Sequence, residues 1–193
     1  MKKGFTLIEL LIVIGILAIL TAAVVIVLNP AELLKQARDS QRLTDLDAMK
    51  NAIALFLADE KTFTGDGTVD DTKCYASNAS VNGSVGCAGA GVARHGTKPG
   101  IGSASTVITG SGWIPLNLGA ISSGSPLSAL PLDPTNSTTY FYSFAASNSN
   151  LTFELDALLE STKYSSKMTS DGGNLNSATT GFYEIGNDPG LDL

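Results

Sequence analysis

One carboxylate, Glu9, sits near the start of an otherwise uncharged apolar run from Leu10 to Leu28. An ionisable group at the middle of a bilayer costs roughly 3 kcal/mol or more, so such a residue is usually paired and functional. The residues in front of it suggest the partner. Lys2-Lys3-Gly4 has the form of a short basic leader ending in a small residue at a cut site. Cutting after Gly4 leaves Phe5 as a new N-terminus, and its amine in one molecule can neutralise Glu9 in the next. Residues 1–4 are too short and too polar for a secretory signal, which carries its own apolar region ahead of the cut. Here the apolar run follows the cut and is retained.

The remaining residues able to do chemistry are sparse. Cys74 and Cys87 are the two cysteines. In a domain outside the cytoplasm they read first as a disulfide, whose loop closure would stabilise the fold by about 3 kcal/mol. A metal site needs more ligands than these two and the lone His95 supply locally. Arg94, His95 and Lys98 lie in a Gly-rich stretch, which reads as a solvated loop, with a small basic contact for DNA or a neighbouring subunit as the alternative. Glu154 and Asp156 alternate along a strand pattern and share a face, expected to be solvated. The run Asp66 to Asp71 departs from the EF-hand pattern and reads as a turn. The chain has neither a Gly-x-Ser-x-Gly elbow nor a phosphate-binding loop, which argues against an enzyme.

These residues sit on a simple succession of elements. Phe5 to Leu28 would be about 36 Å long as a helix, enough for a hydrocarbon core of about 30 Å. Lys2 and Lys3 precede it, while Lys35, Arg38 and Arg42 follow, so flanking charge does not orient it. Asn29-Pro30 predicts a kink or break. From Ala31 to Lys61 there is no Gly or Pro, and Leu46, Met49, Ile53 and Phe56 recur at helical spacing as a packing stripe. The more polar stretch Glu32 to Thr44 is expected to leave the membrane and meet neighbouring subunits. Thr64-Gly65-Asp66-Gly67 ends the helix, and a long loop follows over 64–112. Tyr140–Phe144 and Leu151–Asp156 predict a β-hairpin within 140–156, with a third strand at Phe182–Ile185. Such a sheet needs a cover, and the Leu46–Leu57 stripe supplies it. The expected organisation is therefore a leader at 1–4, an apolar helix at 5–30, an amphipathic helix at 31–62 and a head at 63–193. At a net charge of −6 and 16% charged residues, general attraction to nucleic acid is a poor default.

The junction Gly4-Phe5-Thr6-Leu7-Ile8-Glu9 resembles that of type IV prepilins and type II secretion pseudopilins residue for residue. The likeness is strong over residues 1–60. The Trp113-Ile114-Pro115 and Leu130–Pro134 stretches, followed by an aromatic hairpin, extend it over the rest. It implies an α+β fold, with a long N-terminal helix on a small antiparallel sheet head. It also implies a prepilin peptidase that cuts between Gly4 and Phe5 and methylates the Phe5 amine. The subunit would wait in the lipid of the bacterial inner membrane as a single-pass protein. An assembly platform would then push it into a helical homopolymer outside the cell or in the periplasm, with Glu9 setting register. Many type IV pilins close a C-terminal loop with a disulfide, but no cysteine follows Cys87. Major pseudopilins order that region with calcium, and Asp171, Glu184, Asp188 and Asp192 would supply the oxygen ligands here. The plainer reading is that these are solvated acids near turns. Pilus subunit and major pseudopilin both fit the sequence. A membrane-anchored binding domain that never polymerises is the competing class.

Overall fold

The computed structural model describes residues 4–59, 61–63, 68–89, 91–173, 181–188 and 191–193. Residues 1–3 of the expected leader and the expected turn at 64–67 lie outside these. Helix α1 spans Leu7–Leu28 and helix α2 spans Pro30–Ala58. Within α1, Leu7–Val25 is long and apolar enough to cross a membrane, and none of it is buried. Asn29 alone separates the helices. It takes a left-handed conformation at φ 40°, and its side chain accepts a hydrogen bond from the Glu32 amide at 3.4 Å. One asparagine thus ends α1 and caps α2, with Pro30 in the first turn where its missing N–H is harmless.

Five strands form one sheet: β1 (Cys74–Ala76), β2 (Gly100–Gly102), β3 (Ser143–Ser147), β4 (Thr152–Ala157) and β5 (Tyr183–Gly186), in the order β2-β1-β3-β4-β5. All pairs are antiparallel except β1 with β2, which is parallel. The arrangement is α+β and pilin-like, as expected, but the sheet is larger than three antiparallel strands. The region expected as loop over 64–112 contributes β1 and β2. Three-residue strands, one of them Gly-Ile-Gly, carry no readable alternation. Gly102 is required there because a Cβ would collide with the Asn78 carbonyl.

The aromatic hairpin exists with its first strand displaced. β3 starts at Ser143 because the backbone before it is engaged elsewhere. Ser77 donates its amide to the Tyr142 carbonyl at 2.9 Å, and its hydroxyl accepts the Tyr142 amide at 2.9 Å. Arg94 takes the carbonyls of Phe141 and Thr139 at 2.6 and 3.0 Å.

The sheet is covered on both faces. Phe144, Ala146, Phe153, Leu155 and Ala157 pack with Leu46, Met49, Ile53 and Phe56 of α2, and with Trp113, Ile114 and Leu116. On the other face, Cys74, Ala76, Val81, Cys87, Phe141 and Ala145 form a second, smaller cluster.

The packing stripe of α2 runs further towards its N-terminus than its apolar residues do. Asp39 and Arg42 continue the three-four spacing and are fully buried within the head, although they lie in the polar stretch Glu32 to Thr44 expected to meet neighbouring subunits. Arg42 donates to Asp133 at 2.6 and 3.0 Å and to Asp39 at 2.8 Å, and pairs with Glu160 at 2.6 Å. Asp39 in turn accepts the Glu160 and Ser161 amides and the Ser161 hydroxyl. Burial works against the guanidinium charge, but Asp133, Glu160 and Asp39 more than offset it and raise its pKa. Arg38 closes the set with two bonds to Glu160 at 2.8 and 2.6 Å.

Arg42→Met leaves three carboxylates around an apolar side chain and should destabilise the head by about 3–5 kcal/mol. Denaturant unfolding of the full chain in detergent, followed by Trp113 fluorescence, measures it. Glu160 tests the same network by pH. Hydrogen bonds from Arg38, and then from Arg42, hold it below its ordinary value of 4.5 against opposing burial. A lowered folded pKa means that the stabilisation is present above the unfolded value and lost as pH falls through the folded one. Stability should therefore drop on acidification below pH 4.5, and Glu160→Gln should flatten that part of the profile.

Candidate processing and assembly site

Gly4, Phe5 and Thr6 precede the first helical turn. Open space surrounds Gly4, and Phe5 is 91% exposed. The boundary is set by a reciprocal cap. Thr6 takes an extended conformation and accepts the Glu9 amide on its hydroxyl at 3.3 Å. Glu9 Oε2 returns to the Thr6 amide at 2.8 Å and to the Thr6 hydroxyl at 2.7 Å. This capping box starts the helix at Leu7 and leaves the Gly4–Phe5 bond in accessible, non-helical chain. Thr6-x-x-Glu9 is a readable signal that sequence reasoning passed over in favour of the charge. Both contacts fall on Oε2, so among the described residues Oε1 is left for a group outside the chain. A cut between Gly4 and Phe5 preserves the box, because Thr6 keeps its amide.

Cys74 and Cys87 are bonded, with their Cα atoms 5.9 Å apart and both side chains buried. The bond ties β1 to the segment that covers the second sheet face. Next to Cys87, the Gly86 carbonyl accepts the amides of both Arg94 and His95 at 2.8 and 3.1 Å. Gly86 has φ 64°, and a Cβ there would collide with the Gly96 carbonyl.

Arg94 and His95 are therefore buried, and so are Glu154 and Asp156 beneath them. Both expectations of solvated surface fail for one reason: the segment beyond β1 folds back over that face. Burial, with Arg94 and Lys98 nearby, lowers His95 to about 3 and keeps its imidazole neutral. Burial, then the neighbouring Glu154 and Glu184, pushes Asp156 well above the usual carboxylate range.

The four acids expected as calcium ligands are only partly gathered. Asp171, Glu184 and Asp188 line a cleft of about 470 Å³ together with Lys50 and Lys167, and Asp192 does not line it. Asp171 accepts the Glu184 and Gly173 amides, at 3.0 and 3.2 Å. Among the described residues, the four do not bring one ligand atom each within a common coordination distance.

Replacing both cysteines by serine should cost about 3 kcal/mol of stability and release the Gly86 anchor. Denaturant unfolding measures the cost, and amide exchange at Arg94 and His95 should rise relative to β4.

Residues 1–25 match the family model described as the prokaryotic N-terminal methylation motif. Comparison with curated proteins and with solved structures returns no match. The motif, the accessible Gly4–Phe5 junction and the exposed apolar α1 leading into an α+β head lead to one conclusion. The N-terminus of the chain is prepilin-type, which supports a likeness to type IV pilins and pseudopilins carried by residues 1–25.

Proposed function

We propose that the chain is a structural subunit of a type IV pilus-like filament. A prepilin peptidase cuts it between Gly4 and Phe5 and methylates the Phe5 amine, and it polymerises through α1. The observation that supports this is an unburied apolar helix whose one acid, Glu9, stands just past the accessible Gly4–Phe5 bond. Residues 1–4 are the leader, α1 is the anchor and later the filament core, α2 is the stem, and the remainder is the head. An apolar helix passes from lipid into a bundle of like helices without meeting water. Head-to-tail contact of this kind is heterologous and does not close, so it gives fibres. In the filament, Oε1 of Glu9 receives the Phe5 amine of a neighbour. A carboxylate buried without that amine costs several kcal/mol, which favours one register over the others. Before assembly the chain is anchored in the inner membrane, and an assembly platform extracts it.

A major pseudopilin of a type II secretion system is the second reading. It is favoured by the cleft that holds Asp171, Glu184 and Asp188. Calcium chelation separates the two. Followed by re-addition of Ca²⁺ alone, it should give a melting temperature that recovers for a calcium-ordered pseudopilin head and does not respond to Ca²⁺ for the pilus subunit.

Glu9→Ala tests the filament itself. The variant should stay in the membrane fraction while filaments disappear from electron micrographs of sheared material. Normal filament yield would contradict the role given to Glu9, and a wild-type chain that is membrane-bound but never found in filaments would instead support an anchored domain that does not polymerise. Mass spectrometry of the mature wild-type chain should find Phe5 first and carrying one added methyl group, whereas an intact Met1 would contradict the cut.

A further inference from the structure

The second sheet face holds a set of side chains that processing and assembly do not use. Alternation along β4 places Glu154 and Asp156 on that face, and the Gly86 anchor brings His95 down onto them. His95 Nε2 lies 3.1 Å from Asp156 Oδ2, and Nδ1 lies 3.9 Å from Glu154 Oε1. One donor atom from each of the three falls within 4.8 Å of the others. All three side chains are fully or almost fully buried, yet neither ring nitrogen of His95 has a hydrogen-bond partner, nor has Asp156 Oδ1. A buried imidazole with both nitrogens unsatisfied is costly, and its placement needs a cause.

Charge points the same way. Arg94 is the adjacent cation, but its guanidinium hydrogen-bonds the Phe141 and Thr139 carbonyls and stacks 3.6 Å from the Phe141 ring. Neither carboxylate receives a hydrogen bond from it. Two neighbouring buried carboxyl groups, deprotonated as a divalent ion binds, supply the charge that the ion offsets. Donors around a four-coordinate ion with bonds of about 2.0–2.2 Å stand about 3.4 Å apart, close to the 3.1 Å contact seen here. An imidazole nitrogen with two carboxylate oxygens suits zinc and its first-row neighbours, and not calcium, which takes oxygen ligands. Glu184 faces Asp156 across the β4–β5 ladder and is the next carboxylate on this face.

We propose that His95, Glu154 and Asp156 form a buried site for a divalent transition-metal ion of the zinc type, which pins the covering segment to the sheet. The site differs from the Asp171–Asp188 cleft in ligand chemistry. It stands whether the chain serves a pilus or a secretion system.

The test uses the untagged full chain, unfolded and refolded in detergent with its disulfide intact in the presence of Zn²⁺. One Zn²⁺ per chain should be retained against a chromophoric chelator, with micromolar or tighter affinity and a raised melting temperature. His95→Gln and Asp156→Asn should each weaken binding at least 100-fold, with near-UV dichroism showing that the variants are folded. A further measurement on the wild-type chain does not depend on the variants. The sequence contains one histidine, so imidazole scattering in the zinc X-ray absorption spectrum can come only from His95. No stoichiometric binding, or an all-oxygen shell without imidazole, would overturn the proposal.

Discussion

A five-stranded sheet with a single helix against it has a second face to cover, and covering that face is the constraint on which the head depends. Among the described residues no other α-helix packs against it, and the chain beyond β1 folds back over it. That segment is rich in Gly, Ala and Ser and contributes little apolar surface beyond Val81 and Cys87. Hydrophobic burial holds it weakly, and the Cys74–Cys87 bond and the Gly86 hydrogen bonds take over much of that role. The same shortage makes the interior polar there. Arg94, His95, Glu154 and Asp156 occupy space that larger apolar side chains would fill on the α2 side. Buried polar groups need partners, so this layer concentrates the electrostatics of the head.

On the other face, α2 meets the sheet in two ways along one stripe. From Leu46 to Phe56 the contact is hydrophobic and tolerant of small shifts. At Asp39 and Arg42 it is directional, because a planar guanidinium shared by Asp133, Asp39 and Glu160 permits few arrangements. The apolar part supplies adhesion and the charged part fixes the angle of α2 against two loops that are distant in sequence. That angle matters for a subunit whose helix extends into α1, since Asn29 is the one residue between them. Any rotation of the head relative to α1 must act through Asn29 or through bending of α1.

Within the N-terminal segment, the charge and the helix boundary belong to the same two residues. Glu9 is costly in lipid, and the capping box with Thr6 supplies two donors from within the chain before any neighbour is present. Because one carboxylate oxygen suffices for the cap, starting the helix and pairing with an outside amine do not compete.

The N-terminal half was legible because its signals are local. A run of apolar residues, one acid and an Asn-Pro break each act through neighbours a few residues away, and helix geometry converts that spacing directly into structure. The α2 stripe and the strands rich in aromatic residues could be named for the same reason. What tertiary structure decided is which polar residues are inside. Arg42, Arg94, His95, Glu154 and Asp156 have side chains that usually face water, and nothing adjacent in sequence distinguishes them from the charges that do. Their burial follows from contacts between α2 and Asp133, and between the Gly86 region and β4, across long stretches of intervening chain. Those contacts depend on how the second sheet face is closed, which only the assembled fold determines.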